Sequence, residues 1–131
     1  MNTTNIANRS QILIWYNENG TSKVGVMLDN NDLWLNQKQI SEVFMVSRVT
    51  ITEHIQDIYN RGELDIQTTC RDFRQVQQEG TRQVSRGVQY YNLDMIISVG
   101  YRVNSSQAIS FRTWATSILK SYLQANQGTK K

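Results

Sequence analysis

The chain has 131 residues with 14 Lys and Arg against 11 Asp and Glu, a net charge of +3, no proline, one cysteine and one histidine. That length suits a single domain with a real core, and Cys70 and His54 alone exclude an internal disulfide or a thiolate-rich metal centre. With no run of eighteen apolar residues and a polar start over residues 1–10, the sequence reads as a cytoplasmic protein without membrane span, secretory signal, metal or cofactor.

In chain order, residues 1–10 read as a disordered tail. Gln11–Tyr16 is a buried-strand candidate, Asn17–Gly20 a turn, and Lys23–Leu28 the partner strand. Asp29–Asp32 forms a second turn before a short strand, Leu33–Leu35. A small antiparallel sheet is therefore expected ahead of the first helix. Asn36 can cap that helix, Gln37–Phe44, and Ser47 can cap the next, which runs from about Arg48 to Asn60. Ile40, Phe44, Val46, Ile51 and Ile55 have the spacing of two short helices crossing at a tight turn, with Val46 in the angle. Met45 stands where such turns usually have glycine, so it must take a left-handed backbone or force another turn. Gly62 is placed to end the second helix as a left-handed C′ residue.

From Thr68 to Tyr91 the apolar period becomes two, interrupted at Gln78-Glu79-Gly80, which predicts a β-hairpin bearing Arg71, Arg74, Arg82 and Arg86. Asn92 can cap a helix through Tyr101, and Asn104-Ser105 breaks it. A long helix follows from Ser106 to about Gln124. Along it Ala108, Phe111, Ala115, Ile118 and Tyr122 form one stripe, either a core face or a dimer seam. Residues 126–131 read as a second disordered tail, leaving a domain over 11–125.

A chain with two crossing helices usually lays the second in the major groove of DNA. The candidate DNA contacts are Lys38, Ser47, Arg48, Val49, Thr50, Thr52, Glu53 and Gln56 around that helix, with the four hairpin arginines. Arg48 suits a guanine edge, Thr52 a phosphate and Glu53 a cytosine amino group. Charge is not concentrated there: residues 36–60 carry two basic and three acidic groups, whereas 90–131 carry five basic and one acidic. For the hairpin arginines, protection of exposed strands is as good a reading as phosphate binding. Asp94 has no partner at catalytic spacing and suits the positive end of a helix dipole. Arg102 and Arg112 suit either phosphates or pairing with Asp94. Glycines at 20, 25, 62, 80, 87, 100 and 128 make no phosphate-cradling loop, so no enzyme is expected.

Several runs carry a resemblance: Leu33 to Ile40, Val46 to Ile55, Gly62-Glu63-Leu64-Asp65, Tyr90-Tyr91-Asn92-Leu93-Asp94 onward to Ser105, and Phe111 to Thr116. Over roughly residues 33–123 the chain resembles the virulence RhuM family, bacterial and phage-borne proteins with an N-terminal helix–turn–helix region. Together with the element reading this gives an expected α+β fold: a small antiparallel sheet, a winged helix–turn–helix with its β-hairpin, and C-terminal helices. Family members are usually longer, which implies that a C-terminal domain is absent from this chain or that the chain is a short relative. The expected function is sequence-specific binding of double-stranded DNA in transcriptional control on a mobile or pathogenicity element, with a homodimer through the 106–124 helix. The alternative is an antirepressor-like module that binds another regulator, for which acidic Glu42, Glu53 and Asp57 speak.

Overall fold

A computed structural model describes residues 4–5 and 11–129, with side chains over 11–122. Strands β2 (Gln11–Tyr16), β3 (Lys23–Asp29) and β4 (Asp32–Asn36) form an antiparallel meander. Asn30 and Asn31 both take positive φ, 54° and 61°, as the two-residue turn between β3 and β4 demands. Trp34 Nε1 donates to the Asp29 carbonyl at 3.0 Å and ties that turn to the next strand.

Helices α1 (Gln37–Phe44) and α2 (Arg48–Asn60) follow with the predicted bounds. Asn36 and Gln39 form a reciprocal capping box at the start of α1. Met45 does adopt the left-handed backbone (φ 59°, ψ 42°), and the Val46 N–H then closes α1 by donating to the Ser41 carbonyl at 3.2 Å. Ser47 caps α2 by accepting from the Thr50 N–H at 3.1 Å. Beyond Gly62 (φ 73°) lies a short helix that periodicity did not reveal, α3 (Ile66–Thr69), capped by Asp65.

The hairpin is β5 (Cys70–Glu79) and β6 (Arg82–Asn92), turning at Gly80-Thr81 rather than at residues 78–80. It is not a separate appendage. Leu35 pairs with Tyr91 and Asn36 with Tyr90, so β6 joins the meander and, with β1 at Thr4–Asn5, one sheet runs in the order β1-β5-β6-β4-β3-β2. The physical reason is that β4 would otherwise be an open edge beside Tyr90-Tyr91-Asn92, three buried residues that need a strand neighbour. Strand β1 (Thr4–Asn5) pairs in parallel with β5. Thr4 and Asn5 fall in the expected N-terminal tail, whose other residues lie outside the described ones.

The chain ends in α4 (Leu93–Val103), capped by Asn92, and α5 (Ser106–Thr129), separated by left-handed Asn104. The helical backbone of α5 extends past the expected end near Gln124; of the expected tail at 126–131, residues 130–131 lie outside the described ones. One face of the sheet carries Val24, Val26, Leu28, Leu33, Leu35 and Tyr91 against the helices. Phe111, 1% exposed, anchors α5 there, with ring centroids 5.6 Å from Trp15 and 6.5 Å from Phe44. Ala115 is fully buried too, so the centre of the 108–122 stripe is used inside this domain. A Cβ at Gly100 would stand 3.1 Å from Ala108 Cβ and 3.2 Å from Phe44 Cζ, so α4, α5 and α1 meet too closely for a side chain. A second cluster, Met27, Trp34, Phe73 and Tyr90, packs on the opposite face of the sheet. The chain is thus a mixed α+β fold, and no described helix is long and apolar enough to cross a membrane.

Candidate nucleic-acid interface

Helix α2 buries Ile51, Ile55 and Ile58 and leaves two other stripes. Arg48, Thr52 and Gln56, four residues apart, turn toward the hairpin and line the space beside it. Val49 and Glu53 face outward, and Val49 is 67% exposed. Thr52 Oγ1 lies 3.0 Å from both the Arg48 carbonyl and Gln37 Oε1, so this hydroxyl is already engaged. Ser47 and Thr50 are bound to each other, hydroxyl to hydroxyl, at 2.9 Å. Of the helical candidates, Lys38 and Arg48 are the cations, and neither has a carboxylate partner among the described residues.

The four hairpin arginines do not form one group. Register places Arg71, Arg82 and Arg86 on one face of the ribbon and Arg74 on the other. Arg71 lies at the buried foot, its guanidinium 4.7 Å from the Trp34 ring centre and its Nη1 donating to Asp29 at 3.2 Å. It serves the second apolar cluster. Arg86 makes a two-pronged pair with Glu79, at 2.7 and 2.8 Å, which lowers the Glu79 pKa and raises that of Arg86. Arg74 and Arg82 have no carboxylate partner among the described residues; Arg74 donates to the Ser85 carbonyl at 3.4 Å.

Between the first turns of α1 and α2 and the hairpin lies a groove of about 590 Å³, lined by Lys38 and Arg48 with Asn36, Gln37, Gln75, Gln77 and Gln89. No carboxylate lines it. A second cavity of about 240 Å³ continues from it along α2 past Thr52, Gln56 and Tyr59, sharing Gln37 and Gln89. Gln37 bridges the two walls, its Nε2 donating to the Tyr91 hydroxyl at 3.2 Å. Burial holds the Tyr91 phenol and the Cys70 thiol above their ordinary pKa values, so both stay neutral at physiological pH. Gln75, Gln77 and Gln89 were not among the candidates from sequence, as Gln56 was. Their signal was the recurrence of Gln at 75, 77, 78, 83 and 89 within a period-two segment.

The remaining charged residues serve the fold. Arg102 pairs with Asp57 at 2.6 Å and Glu63 at 2.9 Å, clamping α4 to α2, and not with Asp94. Arg61 also reaches Asp57, at 3.1 Å, so one of the three acidic groups that speak for the antirepressor alternative is paired within the chain. Arg112 stacks over Tyr101, 5.0 Å from its ring centre. Asp94 is exposed in the first turn of α4. Asp32 instead reaches the start of that helix, accepting from Asn92 Nδ2 at 3.1 Å, and burial raises its pKa. Among the described residues no three His, Cys, Asp or Glu side chains gather as a metal site.

No curated protein and no solved structure matches the chain. Residues 68–127, from the end of α3 through the hairpin and α4 into α5, match the Virulence protein RhuM family, which supports RhuM kinship for that part of the molecule.

Proposed function

We propose that this chain is a winged helix–turn–helix protein that binds double-stranded DNA and acts in transcriptional control, by occupancy rather than by chemistry. In this reading α2 enters the major groove by its outward stripe, Val49 and Glu53, while Arg48 at its first turn reaches a base edge or phosphate. The hairpin is the wing. The observation that carries the reading is the pair of cations without carboxylate partners, Lys38 and Arg48, where α2 meets a ribbon eight residue pairs long beyond its last rung with β4. Arg74 and Arg82 supply further phosphate contacts. Dimerisation, in this reading, places two copies on two half-sites.

The test is fluorescence anisotropy on a random duplex pool at several salt concentrations, beside Arg48→Ala. Four cations on phosphate predict a slope of log affinity against log salt of about −3 to −4. The Arg48 variant should bind more weakly. If the protein shows no duplex binding at low salt, the DNA reading fails. One observation then favours an antirepressor-type protein contact: Met45 at the turn and Val49 in the first turn of α2 are apolar and each 67% exposed.

A further inference from the structure

We infer that strand β2 is a dimer interface, at which two copies of this chain pair their sheet edges antiparallel about a twofold axis through Ile14. Strand β2 ends the sheet, and among the described residues no backbone group pairs with its outer side. An open row of N–H and C=O groups is a template for another strand, and proteins blunt such edges with charges, proline, bulges or brevity. β2 uses none of these devices. Gln11–Tyr16 has no charged residue and no proline, and its six residues pair one to one with β3, so it holds no bulge. The opposite side of the sheet is built differently. There two-residue β1 pairs with β5 at Phe73 and Arg74, and β5 itself carries Arg71, Asp72, Arg74 and Glu79.

The side chains say which strand fits. Trp15 is buried against Phe111, and Leu13 packs on the same helix-covered face. Ile12, Ile14 and Tyr16 alternate onto the other face, 55%, 43% and 57% exposed. Gly25 stands opposite Ile14 in β3, so Ile14 has no side chain directly across from it within its own chain. With Ile14 opposite Ile14 of the copy, Ile12 meets Tyr16 on one face and Leu13 meets Trp15 on the other. Each apolar residue gains an apolar partner, no like charges meet, and the helices of both copies lie on one side of a continuous sheet. This match of the strand with itself selects a second copy over an unrelated strand. The contact is small beside the roughly 20–30 residues a side of a standard interface, so the dimer is a dissociable one. It goes beyond the DNA-binding reading and does not rest on it.

The experiment is sedimentation velocity of the full chain without DNA, over about 5 to 500 µM. Monomer should give way to dimer and not to larger assemblies, since a twofold pair covers the β2 edge of both copies. Ile14→Lys sets two ammonium groups opposite each other and should weaken the dimer about tenfold or more, with the circular dichroism of the fold unchanged. Register is read by oxidation, which does not depend on that variant. In a Cys70→Ser background, Ile14→Cys should form a disulfide-linked dimer, because directly opposed residues stand about 4.5–5.5 Å apart at Cα, within disulfide reach. Ile12→Cys in the same background should not, because the two copies of residue 12 lie about 13 Å apart along the strands. A monomer throughout the concentration range overturns the inference and leaves the β2 edge to a strand of another protein. A dimer that forms equally in Ile14→Lys, or that cross-links as well through residue 12 as through residue 14, overturns it too and moves the seam to α5 or elsewhere.

Discussion

Helix α2 and the hairpin treat arginine in opposite ways. The helix has Arg48 at its first turn with no acidic partner among the described residues, whereas the hairpin commits Arg71 to Asp29 and two aromatic rings and Arg86 to Glu79. The hairpin is richer in arginine by count, yet half of that charge is already balanced or buried at its foot. Neither pair joins register neighbours: Arg86 stands opposite Gln75 and reaches along the ribbon to Glu79, and Arg71 reaches Asp29 across β6 and β4. On α2 the nearest carboxylates instead turn outward or toward α4.

The largest expected effect separates the buried foot of the hairpin from its exposed arm. Phe73 is fully buried, with ring centroids 5.8 Å from Trp34 and 5.3 Å from Tyr90. Phe73→Ala should cost about 3–5 kcal/mol in urea unfolding. Val76, three residues on and 70% exposed, should cost within about 0.5 kcal/mol as alanine. Equal losses at the two positions would mean that the arm packs against something beyond this chain.

The next effect tests the division of the arginines. Arg74→Ala should reduce the salt slope of duplex binding by about 1, as the loss of one phosphate contact does, whereas Arg86→Ala should leave it nearly unchanged. Arg71→Ala should lower stability rather than the slope, since it removes a guanidinium stacked on Trp34 together with its ion pair to Asp29. A drop of 1 in the slope for Arg86→Ala would show that its pair with Glu79 opens on DNA.

Smaller again is the turn between α1 and α2. Met45 is left-handed at φ 59° with its side chain 67% exposed, so it bears the backbone cost without burial in return. Met45→Gly should stabilise the chain by up to about 1 kcal/mol in thermal or urea unfolding. A loss instead would assign the Met45 side chain a packing role that its exposure does not suggest.

Much of this architecture was legible in the sequence because local rules dominate it. Asn36, Ser47 and Asn92 announce their helices by capping, and the bounds of α1 and α2 follow from caps and apolar spacing. The period-two run from Thr68 marks the hairpin. The joining of β6 to β4 was not legible, since it pairs residues more than fifty positions apart and no local signal specifies the register. Helix α3 is too short to show a period. The candidate site was legible only in part: Lys38 and Arg48 do line one groove, but sequence shows only the number of hairpin arginines, while their partners depend on register and on side-chain reach along and across the sheet. Gln75, Gln77 and Gln89 give no such signal, because uncharged amides on a strand look like solvated surface until a facing wall is in place.

The smallest effect compares two ion pairs with similarly exposed carboxylates, one between helices and one within the hairpin. Hydrogen bonding from Arg102, aided by Arg61, lowers the Asp57 pKa, and Arg86 does the same for Glu79. A carboxyl with a depressed folded pKa contributes its stability fully above the unfolded value, near 4, and loses it as pH falls through the folded value. Both pairs should therefore weaken below about pH 4, not near neutrality. They differ in what they connect. Arg102 links α4 to α2 and to Glu63 across 45 and 39 positions of chain, whereas Arg86 and Glu79 are seven apart on a ribbon already zipped by its backbone. Arg102→Ala should thus remove more of the stability change between pH 5 and 3 than Arg86→Ala does, measured as the shift in urea midpoint. Parallel shifts in the two variants would mean that the clamp between α2 and α4 is held by its apolar contacts alone.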